Sequence, residues 1–134
     1  MFAARRLASR ASSKGSAAPS CAAAAGARVD AVFYCPHAPD EECHCRKPGT
    51  ALFEQIAERF GVEGHQLWVV GSCVAHLQAG AAMGARLHLV CTGASAGVSL
   101  DGALPPGLPP GTQRHASLAA LADALVPADA APAP

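Results

Sequence analysis

Within the stretch 35–45 the chain places Cys35, His37, Cys43 and Cys45, and the cationic pair Arg46 and Lys47 follows at once. Three thiolates and an imidazole are what a tetrahedral structural zinc site uses, with Zn–S about 2.3 Å and Zn–N about 2.0 to 2.1 Å. The pairs Cys-x-His and Cys-x-Cys are tighter than those of a zinc-finger ribbon, so the spacing predicts a metal-knotted loop grafted on a larger domain. Pro36 and Pro39 suit such a loop, because proline fixes φ and gives up an amide donor that a hydrogen-bonded ladder would need. His44 is the alternative imidazole. His37 is preferred, since His44 stands between two ligands and is hard to aim inward with both. Disulfide pairing and uncommitted thiols are the competing readings of these cysteines.

Arg46 and Lys47 beside this loop read as an anion site. A planar guanidinium can fork two oxygens of a phosphate, and an ammonium can neutralise charge that develops on a transferred group. On the residues alone, a solvated charge pair closing the loop is the plainer reading. Further along, Ser72, Cys73 and His76 follow an apolar run, and one helical turn brings His76 near Ser72. Nothing in the sequence orients that imidazole as a working triad requires, so the pair is read as accidental.

The elements that must position these groups come from one modest domain: 134 residues leave room for roughly a hundred ordered ones. Residues 1–28 carry +5 with no acid, and residues 29–134 carry −5, so the zero net charge is a cancellation of halves. The Ala-, Ser- and Arg-rich leader 1–28 is read as a disordered extension, with a transit peptide as the alternative. No apolar run suits a secretory signal or a membrane helix, and the sparse positive charges of the leader are poor material for nucleic-acid binding. The expectations are a cytoplasmic monomer without nucleic-acid or membrane partners, in a reducing compartment where Cys73 and Cys91 are partly buried thiols.

A short apolar run, 29–34, reads as a strand that delivers Cys35 to the loop. Thr50 reads as the N-cap of a helix over 51–60, closed by Gly61. Leu67 to Val70 is continuously apolar and reads as a strand buried on both faces, followed by a helix over 74–83 and a strand over 86–91. Residues 93–114 read as an irregular Gly- and Pro-rich loop, 115–126 as a last helix, and 127–134 as a disordered tail. Together these predict an α/β fold, a partial Rossmann-like parallel sheet with covering helices over 29–126 and a zinc loop at 35–45.

Four stretches, Asp30-Ala-Val-Phe-Tyr-Cys-Pro-His37, Cys43-His-Cys-Arg-Lys-Pro48, Val69-Val-Gly71 with Gln78-Ala-Gly80, and Leu89-Val-Cys-Thr-Gly93, carry a resemblance. The chain resembles the C-terminal part of the zinc-containing heptose-bisphosphate phosphatases of the haloacid dehalogenase-like superfamily. That resemblance implies zinc on Cys35, His37, Cys43 and Cys45, substrate recognition by Arg46, stabilisation of the phosphoryl group by Lys47, and a phosphorylated sugar as ligand. It also implies a magnesium cofactor and an Asp-x-Asp nucleophile pair. No two aspartates of this chain are one residue apart, no asparagine is present for the family's phosphate loop, and Ser72 stands where the third magnesium carboxylate is expected. A neutral hydroxyl replaces a carboxylate poorly on a hard cation, so magnesium is expected to bind weakly or not at all.

Three functions compete: a sugar-phosphate phosphatase homologue impaired in catalysis, with histidinol phosphate as a close alternative substrate; a non-catalytic zinc-stabilised module that binds a phosphate ligand or partner; and a thiol redox or metal-handling protein. The last is disfavoured because thiolates committed to a four-ligand set are not free to react.

Overall fold

A computed structural model describes residues 2–3 and 26–125. Leu52, Phe53 and Ile56 recur at helical spacing, and they are the buried face of helix α1, Ala51–Phe60. Gly61 ends it at φ 60°, the left-handed conformation a glycine adopts at least cost. Thr50 precedes the helix without capping it: its hydroxyl donates to the Glu54 carboxylate instead.

Strand β1, Phe2–Ala3, pairs antiparallel with β2, Ala31–Val32. A separate parallel sheet runs in the order β3, Trp68–Gly71; β4, Arg86–Val90; and β5, Gln113–His115. Helix α2, Val74–Ala82, crosses between β3 and β4, and helix α3, Leu118–Leu125, follows β5. Val69 pairs with Leu87, and Leu89 pairs with Arg114, so these residues share one sheet face. On that face Val69, Leu87 and Leu89 join Leu77 and Ala79 of α2, Phe53 and Ile56 of α1, and Leu108 in one core. Gly80 permits the contact, because a Cβ there would lie 2.9 Å from Val69 Cγ2 and 3.0 Å from Leu87 Cδ2.

The α/β architecture agrees with expectation, and four local readings need correction. The first strand shrinks to Ala31–Val32. The Leu67 to Val70 run is not buried on both faces, since β3 is an edge strand of the described sheet and Trp68 is 46% exposed. The segment read as loop contains β5, whose Gln113, Arg114 and His115 give no apolar pattern to detect. The last helix begins at Leu118, where the Ser117 hydroxyl accepts the Ala120 N–H as an N-cap does. The irregular loop itself is tied down by Arg114, whose guanidinium donates to the carbonyls of Ser99 at 2.7 Å and Gly102 at 2.6 Å.

The leader assigned to 1–28 lies outside the described residues except for 2–3 and 26–28, and the tail 127–134 lies outside them entirely. Among the described residues no helix is long and apolar enough to cross a membrane.

Candidate metal centre

Cys35 follows β2 closely, and Cys43 and Cys45 stand before α1. One ligand atom from each of Cys35, His37, Cys43 and Cys45 falls within 4.8 Å of every other. Cys35 Sγ is 3.5 Å from Cys43 Sγ and 3.1 Å from Cys45 Sγ, and His37 Nδ1 is 3.1 Å from Cys45 Sγ and 3.6 Å from Cys35 Sγ. Such spacings suit four donors converging on one ion at about 2.0 to 2.3 Å each. His37, not His44, completes the set.

The thiols do not ionise alike. Cys45 is pushed up to about 12, first by its hydrogen bond to Cys35 and then by burial. Cys43 moves the other way: burial opposes ionisation, and hydrogen bonds from Cys35, the Arg46 backbone and Cys45 outweigh it. Crowded thiols resist joint ionisation, and a divalent cation at their centre would supply the charge that lets all three bind as thiolates.

The loop is braced from inside. Arg46 Nη1 donates to the carbonyls of Pro39 at 2.8 Å and Glu41 at 3.4 Å, and Nη2 to those of His37 at 3.3 Å and of Ala38. Sequence reasoning missed this use of Arg46, because carbonyl acceptors leave no signature in side-chain types. Lys47 differs from its neighbour: it is exposed, and its ammonium makes no hydrogen bond or ion pair among the described residues. Phe33, Tyr34, Cys35, Cys45, Arg46, Lys47 and Leu52 line an open cleft of about 290 Å³. Two of the four candidate ligands, Cys35 and Cys45, therefore share one concavity with Arg46 and Lys47.

Beyond the cleft, His76 lies buried on α2, its Nε2 donating to the Val70 carbonyl at 3.1 Å and its ring 5.4 Å from that of Phe53. Burial first, and then the positive charge of Lys47, lowers this imidazole to about 4. His76 Nδ1 is buried with no hydrogen-bond partner among the described residues, so no hydrogen bond joins it to Ser72 there. The Ser72 carbonyl accepts the Ser95 hydroxyl at 2.7 Å. Cys73 is exposed, against expectation, and Cys91 is partly buried. Among the described residues no group of three carboxylates, histidines or cysteines converges near Ser72, so the residues present do not fit a magnesium ion there.

A family model described as HAD-hydrolase-like matches residues 44–121. The chain is 41% identical over 101 residues to the D-glycero-β-D-manno-heptose-1,7-bisphosphate 7-phosphatases of Pseudomonas aeruginosa and of Bordetella bronchiseptica, covering 75% of this chain and 54% of each relative. It is 39% identical over 46 residues to the histidine biosynthesis bifunctional protein of Legionella pneumophila, covering 34% of this chain and 13% of that one. The crystal structure of the D,D-heptose 1,7-bisphosphate phosphatase from B. bronchiseptica, complexed with magnesium and phosphate, superposes with a TM-score of 0.70 at 39% identity. That match covers 81% of this chain and 58% of the solved one. The chain spans about half the length of the curated relatives it matches.

Proposed function

The chain belongs to the HAD-hydrolase-like family, and from that premise we propose that its 134 residues form a zinc-stabilised, sugar-phosphate-binding homologue of the heptose-bisphosphate phosphatases that is impaired in hydrolysis on its own. The observation that carries this reading is the shared cleft, lined by Cys35 and Cys45 of the cluster and by Lys47, which has no hydrogen bond or ion pair among the described residues.

In this reading Cys35, His37, Cys43 and Cys45 hold zinc, whose contribution is structural: it fixes the loop that presents Arg46 and Lys47. Lys47 meets the phosphoryl group, where a free ammonium facing an anion gives a charge-assisted contact. Arg46 contributes to substrate recognition through its Nε–H, which has no hydrogen-bond partner among the described residues while Nη1 and Nη2 hold the loop. Phosphoryl transfer in the family's manner needs a carboxylate nucleophile held within about 3 to 3.5 Å of phosphorus, and the Asp-x-Asp that would supply it does not occur in these residues. A neutral imidazole at His76 and a hydroxyl at Ser72 do not replace it. The ligand class is a phosphorylated sugar, heptose bisphosphate first. Histidinol phosphate is the second reading, supported by the shorter match to the Legionella histidine-biosynthesis protein. The protein acts as a monomer in the reducing cytoplasm.

Calorimetric binding of heptose 1,7-bisphosphate, run beside phosphate-release assays with magnesium present, tests this. Binding that is lost in Lys47→Ala, without turnover, is expected. Magnesium-dependent turnover in the usual enzymic range of about 1 to 10³ per second by the wild-type chain would overturn the impaired-homologue reading.

A further inference from the structure

The sheet face turned away from α2 carries chemistry that the cleft does not use. Strand alternation brings Trp68 of β3, Arg86 and His88 of β4, and His115 of β5 to that face. Their rings form a ladder across the three strands. Trp68 stacks on His88 at a centroid distance of 5.4 Å and an angle of 28°, and His88 meets His115 at 5.3 Å and 34°. Arg86 lies over the Trp68 ring at 5.6 Å.

His88 Nδ1 is 3.1 Å from His115 Nε2. One proton between the two nitrogens makes this a hydrogen bond. With that proton placed on the far nitrogen of each ring, both lone pairs are free, and two imidazole nitrogens on one tetrahedral ion stand roughly 3.3 Å apart at metal–nitrogen distances of about 2.0 to 2.1 Å. The observed separation is within reach of that value. A neutral histidine's tautomer is set by what its other nitrogen binds. His88 Nε2 is buried with no hydrogen-bond partner among the described residues, so no protein group fixes the tautomer from that side, and the His115 contact at Nδ1 is the one a metal ion would have to replace. Burial first, then His115 and Arg86, keeps His88 in the neutral form that ligates.

We propose that His88 and His115 form a second metal site, a two-imidazole seat for a borderline divalent transition ion such as Zn²⁺, Ni²⁺ or Cu²⁺. Imidazole nitrogens suit these ions, whereas Mg²⁺ demands oxygen ligands. The site is independent of the phosphate cleft and, with two protein ligands instead of four, binds more weakly than the cysteine cluster.

The ladder supplies its own reporter. Trp68 is the single tryptophan of the chain, and a paramagnetic ion on His88 sits next to its ring. Titrating the zinc-loaded full chain with Ni²⁺ while following Trp68 emission should give saturable quenching, and Mg²⁺ should give none. His115→Ala should raise the half-saturating Ni²⁺ concentration by on the order of tenfold or more, the loss that even an outer-shell partner produces. His88→Gln should do the same. If that variant fails to fold by circular dichroism, His115→Ala, at a less buried position, decides alone. No saturable quenching of the wild type up to about 1 mM Ni²⁺, or equal quenching in His115→Ala, overturns the site.

Discussion

His37 Nδ1 lies 3.1 Å from Cys45 Sγ, across eight positions of sequence. That contact closes the loop on itself and leaves Arg46 and Lys47 at the rim where it ends. Arg46 then turns back onto the loop it follows, so the residue after the loop's last cysteine braces the segment that begins at His37.

Arg46 therefore has an expected role in metal retention. Arg46→Ala takes the guanidinium away from the carbonyls of His37, Ala38, Pro39 and Glu41 and should weaken metal affinity roughly 10- to 100-fold, the range for outer-shell partners. Arg46→Lys should recover only part of this, because a single ammonium cannot spread over four carbonyls as a planar fork does. Competition with a chromogenic chelator reads both values. Equal retention by wild type and Arg46→Ala would remove the bracing role.

Gly80→Ala sets two effects against each other. Alanine is the better helix former by about 1 kcal/mol. Its Cβ, however, would lie 2.9 Å from Val69 Cγ2 and 3.0 Å from Val69 Cβ, on a β-branched side chain with little freedom to move. Overpacking of that kind costs about 1 to 3 kcal/mol, so a net loss of stability is expected in urea denaturation. A stabilised variant would mean that α2 can lift off the sheet at no cost.

The low pKa of His76 has a defined consequence for acid stability. An unfolded chain protonates this imidazole near 6.5, and the folded one near 4. Between those values the unfolded state binds the extra proton, so stability falls as the pH drops from 6.5 towards 4 and levels off below it. After allowance for residual hydration the effect is of order 1–2 kcal/mol. Denaturant midpoints should fall less steeply across that window in His76→Gln than in the wild type. Parallel profiles would show that His76 is not the group responsible.

The ligand set was legible from residue type and spacing, because four soft donors in one short segment have few other uses. The helix over 51–60 was legible from its apolar period and from Gly61, and the crossing by α2 from the alternation of apolar strand and helix segments. Strand β5 was not. Its residues are polar, and it joins the sheet through backbone pairing with β4 and through the hold of Arg114 on the loop carbonyls, neither of which has a one-dimensional pattern. The exposure of Trp68 was hidden likewise, since an apolar run does not say whether its strand is central or at an edge. The His88–His115 pair depends on register between strands that are distant in sequence, and no spacing rule reaches that far.

The most direct test of the account is the metal content of protein purified without added metal, measured by elemental analysis on wild type and Cys43→Ser. One equivalent of zinc per chain is predicted for the wild type, with a severe fall in the variant, since loss of one of four ligands cripples a structural site. Less than about a tenth of an equivalent in the wild type, unchanged in Cys43→Ser, would contradict it.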